Sequence, residues 1–257
     1  MNNIIINRLP LWQFDLFGTQ TGINHFVTDR QSDVDGEPFT LSYSSHPDQN
    51  FVDNNRRKLA EAIGIPSDRL FFPSQVHGTR IVSVTADTTK DELMETDALI
   101  TTESTLCIAV MSADCVPILL YDPANQVVAA VHSGWRGTVA TILDKTVRVM
   151  KDNYNTDPRH LLAGIGPSIC QGSYEVGEEV IAEVTKTFGS SGDLIRHTSS
   201  GKGKLDLWKA NKIQLLDAGI AEANIEVGGL CTVQNNAHFF SARKGDAGRF
   251  AAGIMLK

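Results

Sequence analysis

Long apolar runs are absent from this chain. No stretch approaches the roughly 20 consecutive apolar residues that a membrane helix needs, so the sequence reads as a soluble protein. Cysteine is scarce: Cys107, Cys115, Cys170 and Cys231 are the four present in 257 residues, and none form a Cys-x-x-Cys pair. That argues against a disulfide framework and fits a reducing compartment. Basic clusters are short, none longer than Arg56-Arg57-Lys58, and the formal net charge is −7. An acidic chain without a basic stripe is not built for nucleic acid or an anionic membrane surface, although two or three arginines can still hold a small anion. The seven histidines include no His-x-His pair, too few for a multicopper cluster. The glycine-rich strand end Gly164-Ile165-Gly166-Pro167 lacks the G-x-G-x-x-G arrangement and the P-loop lysine, which weakens a dinucleotide or ATP reading. The segment Met1 to Asn7 has no basic n-region of the signal-peptide kind, and the expectation is a cytoplasmic protein.

What is present is 42% hydrophobic residues and 21% charged ones, ordinary for a globular chain long enough to bury a full core. Apolar, β-branched runs predict strands at 26–28, 70–72, 80–84, 98–101, 106–111, 116–121, 127–131, 161–165, 225–227 and 250–256. Several are apolar on both faces, which implies a sheet covered on both sides. Helices are expected from Asp53 to about Ile63, from a Thr138 cap to about Asp152, over 176–188, and from Asp206 to Ala218. The polar stretches 31–37 and 190–204 read as loops. The fold class is mixed α/β (α+β), with packed mixed β-sheets flanked by helices.

Three strand ends carry chemistry. Pro73-Ser74-Gln75-Val76-His77-Gly78, Ser112-Ala113-Asp114-Cys115-Val116-Pro117 and Val131-His132-Ser133-Gly134-Trp135-Arg136-Gly137 each place one metal-ligand side chain where the chain turns. Neighbouring strand ends lie about 4.8 Å apart, so a thiolate and two imidazoles from such ends can share one ion. His77, Cys115 and His132 are therefore candidate ligands. Three protein ligands with an open position is the pattern of a catalytic zinc, with copper a second choice for a mixed N/N/S set. The same residues admit a different chemistry, with Cys115 as nucleophile, His132 as base, and Asp114 or another carboxylate as orienter. His77 separates the two readings, because a Cys–His dyad has no need of it. After His132, Gly134 and Gly137 let the backbone approach a ligand, and Arg136 offers a fork suited to phosphate. Phe239-Phe240-Ser241 with Arg243 either stacks on a base or belongs to the core.

Taken together, these segments resemble the YfiH-like laccase-domain family, also called polyphenol oxidases. The further carriers are Asp97-Ala98-Leu99, Tyr174-Glu175-Val176 and Gly248-Arg249, with departures from the expected pattern at Ala242 and Lys244. The resemblance implies one laccase-type domain over 1–257, a cysteine-hydrolase-like sandwich, and a zinc site at His77, Cys115 and His132. It also implies phosphorolysis of adenosine, inosine, guanosine and methylthioadenosine, with adenosine deamination beside it. The partners it implies are a purine nucleoside and phosphate, with no nucleic acid and no membrane. Arg136 is the first choice for the phosphate, with Gln75 and Arg243 as further substrate contacts. Alternatives from the same resemblance are a hydrolase of amide or peptidoglycan-precursor bonds and a copper-dependent phenol oxidase; a non-catalytic metal-binding partner protein is a further alternative that the ligand set allows.

Overall fold

Two six-stranded mixed sheets lie face to face, with helices on their outer surfaces. The computed structural model describes residues 1–31, 37–189, 193–198 and 201–257. The first sheet runs Asn2–Ile6, Leu9–Gln13, Ile23–Thr28, Phe250–Leu256, Cys107–Ser112 and Leu70–Phe71. The second runs Ile225–Val227, Leu162–Ile165, Val116–Asp122, Val127–Ser133, Ala98–Thr101 and Ile81–Ser83. Most neighbours are antiparallel; Leu70–Phe71, Ile225–Val227 and Ile81–Ser83 join in parallel. A small antiparallel sheet of Glu175–Val176, Gly203–Leu205 and Ile195–His197 lies apart.

The alternation of side chains explains the layers. Along Val127–Ser133 every residue is buried, so both faces are covered. Val127, Ala129 and Val131 face a cluster with Leu143, Val147 and Met150 of helix Ile142–Tyr154 and Leu207 and Ala210 of helix Leu207–Asp217. Val128 and Ala130 face the other sheet, where they join Ile108, Val110, Ala252 and Ile254. The first sheet's far side packs Cys107, Ala109, Ala251 and Met255 against Leu59, Ala60 and Ala62 of helix Gln49–Ile63. The order is helix, sheet, sheet, helix, as the apolar-on-both-faces strands require. By the same alternation His132 points toward the space between the sheets and Ser133 toward the helices, where it bonds Asn211 at 2.8 Å.

Local chemistry sets the element ends, and some differ from expectation. Helix Gln49–Ile63 is capped by Asp48, whose carboxylate accepts from Asn50 N, rather than by Asp53, and Gly64 closes it at φ 79°. Thr138 is not a cap: it lies inside a short helix, Trp135–Val139, and the chain restarts after Thr141 in the left-handed region. Val176 belongs to a strand, so the next helix is Glu178–Phe188. Part of the presumed 190–204 loop is the strand pair Ile195–His197 and Gly203–Leu205; residues 190–192, 199–200 and 32–36 lie outside the described residues. The hairpin Asn2–Gln13 was not anticipated. Its turn, Asn7-Arg8, has φ of 48° and 68°, a primed turn made without glycine.

Candidate metal centre

The three expected ligands converge. One ligand atom from each of His77, Cys115 and His132 lies within 4.8 Å of the others, the one such group of three among the described residues. Cys115 sits in the turn that carries the chain from the first sheet, at Cys107–Ser112, to the second, at Val116–Asp122. His132 is the cross-strand partner of Pro117, two residues past Cys115. His77 comes in from a separate loop with its own backbone at φ 62°. The rings of His77 and His132 meet edge to face, 4.9 Å between centroids.

Asp97 organises both histidines. Its buried carboxylate takes the His132 Nδ1 proton bond at 2.8 Å, which leaves Nε2 free to ligate. The same carboxylate accepts from the backbone N–H of Val76, His77 and Gly78 at 3.2, 3.0 and 2.7 Å, pinning the loop that presents His77. Asp114, named beforehand as a possible orienter, does not fill that role. Its oxygens accept from Thr232 Oγ1 at 2.6 Å and Arg243 N at 2.8 Å, and its φ of 89° shapes the turn before Cys115. The reason is geometric: Asp97 stands at the head of Ala98–Thr101, the strand paired with Val127–Ser133, and faces the His132 imidazole, whereas the Asp114 carboxylate is turned to Thr232 and Arg243.

The site is polarised. Burial pushes the Cys115 thiol up, but the charges and hydrogen bonds of His132 and His77 outweigh it and bring it down to about 6. Burial likewise lowers His132, while the Cys115 thiolate and Asp97 outweigh that and raise it to about 9. Cys107, buried without a cationic neighbour, is pushed up instead. A thiolate and two imidazoles, one held through Nδ1 by a carboxylate, fit the donor set of a borderline ion such as zinc.

Gly134 keeps the space around the ligands open. A Cβ there would lie 2.8 Å from Cys115 Sγ and 3.0 Å from His77 Cδ2. Its backbone, φ −73° and ψ 176°, is one that alanine adopts freely, so the constraint is contact rather than strain. Gly134→Ala is expected to keep the fold and to lower metal affinity at least about tenfold, as ligand geometry must give way. Competition with a chelator measures this, and wild-type affinity would count against it.

The ligands open into a cleft of ≈ 1490 Å³, also lined by Tyr174, Arg243, Gln75, Arg249 and Arg56. Gln75 uses its amide on the Met111 backbone, Nε2 to O and N to Oε1, both 2.8 Å, so it braces the cleft wall. Arg243 lies over the Tyr174 ring, 5.0 Å to the centroid, and bonds Glu175 O at 2.9 Å. Arg136 is exposed and lies over Trp135 at 4.4 Å; it is not among the residues lining the cleft. It is the second residue of the helix Trp135–Val139, which has five residues. Phe239 and Phe240 are core, 0% and 2% exposed, and do not present a stacking face. Sequence reasoning did not single out Asp97, Tyr174 or Arg56 as working residues. Asp97 and Tyr174 stood out only as carriers of the family resemblance, whereas Arg56 sat in the longest basic cluster.

Comparison with known proteins agrees on the family. The family model described as multi-copper polyphenol oxidoreductase laccase matches residues 24–257. A protein of Bacteroides thetaiotaomicron named purine nucleoside phosphorylase is 35% identical over 256 residues, covering 95% of each chain. Adenosine deaminase RL5, from an unknown prokaryotic organism, is 37% identical over 212 residues, 79% of this chain and 80% of that one. The crystal structure of Bacillus licheniformis hypothetical protein YfiH superposes with a TM-score of 0.89 at 27% identity, covering 99% of both chains.

Proposed function

The chain belongs to the multi-copper polyphenol oxidoreductase laccase family, the YfiH-like proteins, and from that premise we propose that it is a zinc-dependent purine nucleoside enzyme. The reactions are phosphorolysis of adenosine, inosine, guanosine and methylthioadenosine, and deamination of adenosine. The observation that carries this reading is the meeting of His77, Cys115 and His132 at the wall of one large cleft. Two relatives named for phosphorylase and deaminase activity support it. The reading takes residues 1–257 as one unit, supported by a core that runs through both sheets and their helices. No helix among the described residues is long and apolar enough to cross a membrane, and we assign the protein to the cytoplasm.

His77, Cys115 and His132 would hold the ion, which supplies Lewis acidity and activates water at neutral pH. The protein's own groups do the rest. Asp97 fixes the tautomer and direction of His132. Tyr174, whose hydroxyl burial and the Cys115 charge push up to about 12, stays protonated and offers a hydrogen-bond donor and a ring to the substrate. Arg243, its guanidinium held by Glu175 O and the Tyr174 ring, adds positive charge to the cleft wall beside Tyr174. A family label of copper oxidation needs more copper ligands than this one group provides, so phenol oxidation is expected to be weak or tied to added copper.

A second reading rests on the charged pair Cys115 and His132. A thiol brought down to about 6 is a nucleophile at neutral pH, as a hydrolase of amide or peptidoglycan-precursor bonds would use. One experiment weighs both. Protein purified without chelator is analysed for metals and assayed on nucleosides with and without phosphate, on amide substrates and on phenols. We expect about one zinc per chain and release of free purine that depends on phosphate. Metal-free protein that cleaves amides would favour the hydrolase. Stoichiometric copper with rapid oxygen uptake would favour the oxidase, and no turnover on any substrate would favour a binding role.

A further inference from the structure

Three arginines line the cleft without making an ion pair to any carboxylate among the described residues: Arg56, Arg243 and Arg249. Arg57, which also lines the cleft, pairs with Glu61, and Arg30, Arg148 and Arg159 pair with acids elsewhere. The cleft arginines are held by neutral groups instead. Arg56 donates from Nε to Leu41 O at 2.9 Å, and its guanidinium carbon lies 4.2 Å from the Tyr43 ring centroid and 4.5 Å from that of Phe72. Arg249 Nη1 donates to the carbonyls of Ala247 and Gly248, both at 2.7 Å, and to that of Asp246 at 3.5 Å.

These two arginines meet on one residue. Leu41 O receives Arg56, and Leu41 N donates to Arg249 O at 3.3 Å. Arg249 N in turn donates to Thr40 Oγ1 at 3.1 Å. Ser42 and Ser44, hydroxyl to hydroxyl at 2.9 Å, line the same part of the cleft. Asp53, whose charge also reaches Arg56, accepts a hydrogen bond from the Tyr43 hydroxyl. Aromatic faces and carbonyls fix the direction of a guanidinium without cancelling its charge, so its free edge is oriented before an anion arrives. At Arg56 burial outweighs the nearby Asp53 charge and disfavours the cationic form, and an incoming anion relieves that cost.

We propose that Arg56, whose guanidinium is held by Leu41 O, and Arg249, whose backbone carbonyl takes Leu41 N, form the subsite for inorganic phosphate in the part of the cleft lined by Ser42 and Phe72. This rests on the reading of the protein as a nucleoside phosphorylase. Phe72, which stacks on Arg56, and His77 are five residues apart, a span of no more than about 18 Å. One nucleoside can then lie along the cleft with the amino-bearing carbon of its base toward His77, Cys115 and His132 and its ribose toward the arginines. A phosphate oxygen forms a bond to C1′ as the C1′–N9 bond breaks. The electron pair leaves with the purine, which takes a proton from solvent, and the products are ribose 1-phosphate and free base. Deamination at the other end needs no phosphate. The two chemistries thus use two ends of a single pose.

The test uses zinc-loaded protein and two readouts. Arg56→Gln is expected to raise KM for phosphate about 10- to 150-fold, the loss of a charge-assisted hydrogen bond, and to lower the ratio of phosphorolysis to deamination at least tenfold. Arg56→Lys, which keeps charge but loses the fork, should fall between wild type and Arg56→Gln. Arg136→Ala should raise KM for phosphate less than Arg56→Gln does. In parallel, calorimetric titration with inorganic phosphate alone should show binding to the wild type that Arg56→Gln and Arg249→Gln weaken. Should the wild type turn over no nucleoside yet bind phosphate through these two arginines, the subsite stands and the phosphorylase reading falls. Equal losses of phosphorolysis and deamination, unchanged phosphate binding in both variants, or a larger effect at Arg136 would each overturn the proposal.

Discussion

His77→Ala is expected to strip the metal and reduce both nucleoside activities to background while the protein remains folded. His77 lies on an exposed loop and makes no part of the three buried apolar clusters. Its left-handed backbone already strains the native residue, so alanine at the same φ of 62° adds little. A three-ligand site deprived of one imidazole holds its ion weakly; the activation of water that deamination needs goes with the ion, and phosphorolysis loses the centre against which the base is seated. Elemental analysis, an assay on adenosine with and without phosphate, and a thermal melt together read the outcome. A variant that melts as wild type, holds no metal and retains activity would turn the argument to Cys115 and His132 acting as a nucleophilic pair.

Replacement of Asp97 is expected to cost stability as well as metal. The carboxylate serves three backbone N–H groups and His132 at once. Asp97→Asn has one carbonyl where two oxygens accepted, so its amide must face either the loop N–H groups or the His132 N–H, donor against donor. Breaking a buried, hydrogen-bonded charge costs about 3–5 kcal/mol, and about 3 kcal/mol alone lowers Tm by about 6–12 °C in a chain of this class. Metal affinity should fall about 10- to 100-fold through His132. The pH dependence has a definite sign. Burial pushes the Asp97 carboxyl up, but His132 and the loop N–H donors outweigh it and hold it below its ordinary value. Its stabilisation is therefore complete above the unfolded carboxylate pKa near 3.9 and is lost as pH falls through the lower folded value. Melting curves of metal-free wild type and Asp97→Asn should lie apart at pH 7 and draw together below about pH 4. A gap that stays constant from pH 7 to 3 would show that the charge on Asp97 is not what holds the site.

The central strands were legible in the sequence because they are apolar on both faces, and Val116–Asp122, Val127–Ser133 and Phe250–Leu256 are buried throughout. The ligands were legible because each stands at the end of such a run, flanked by glycine, proline or a short turn. Asp97 was not, since its partners lie 19 to 35 residues away and no spacing along the chain announces them. Arg56 was not, since a basic cluster on a helix reads as a solvated face, and only packing against Tyr43 and Phe72 turns one of its members into the cleft wall. The hairpin Asn2–Gln13 escaped notice for a local reason. Asn7 and Arg8 take left-handed φ without the glycine that usually signals such a turn. Thr141 broke a continuous helical pattern in the same way, by a left-handed residue that its side chain does not advertise.

Cys115 lies on the short link by which the chain leaves one sheet and enters the other. No segment of the protein therefore owns the centre: the thiolate depends on how far apart the sheets settle, the His132 imidazole on the end of its strand, and the His77 imidazole on how its loop closes over the join. A methyl group added or removed between Val110 and Ala130, far from any reacting atom, shifts that separation and reaches the ligands as directly as a change beside them. Selection on the interior packing and selection on the chemistry are thus one constraint in this molecule. Attempts to graft the three ligand residues onto another scaffold must carry the docked pair of sheets along with them.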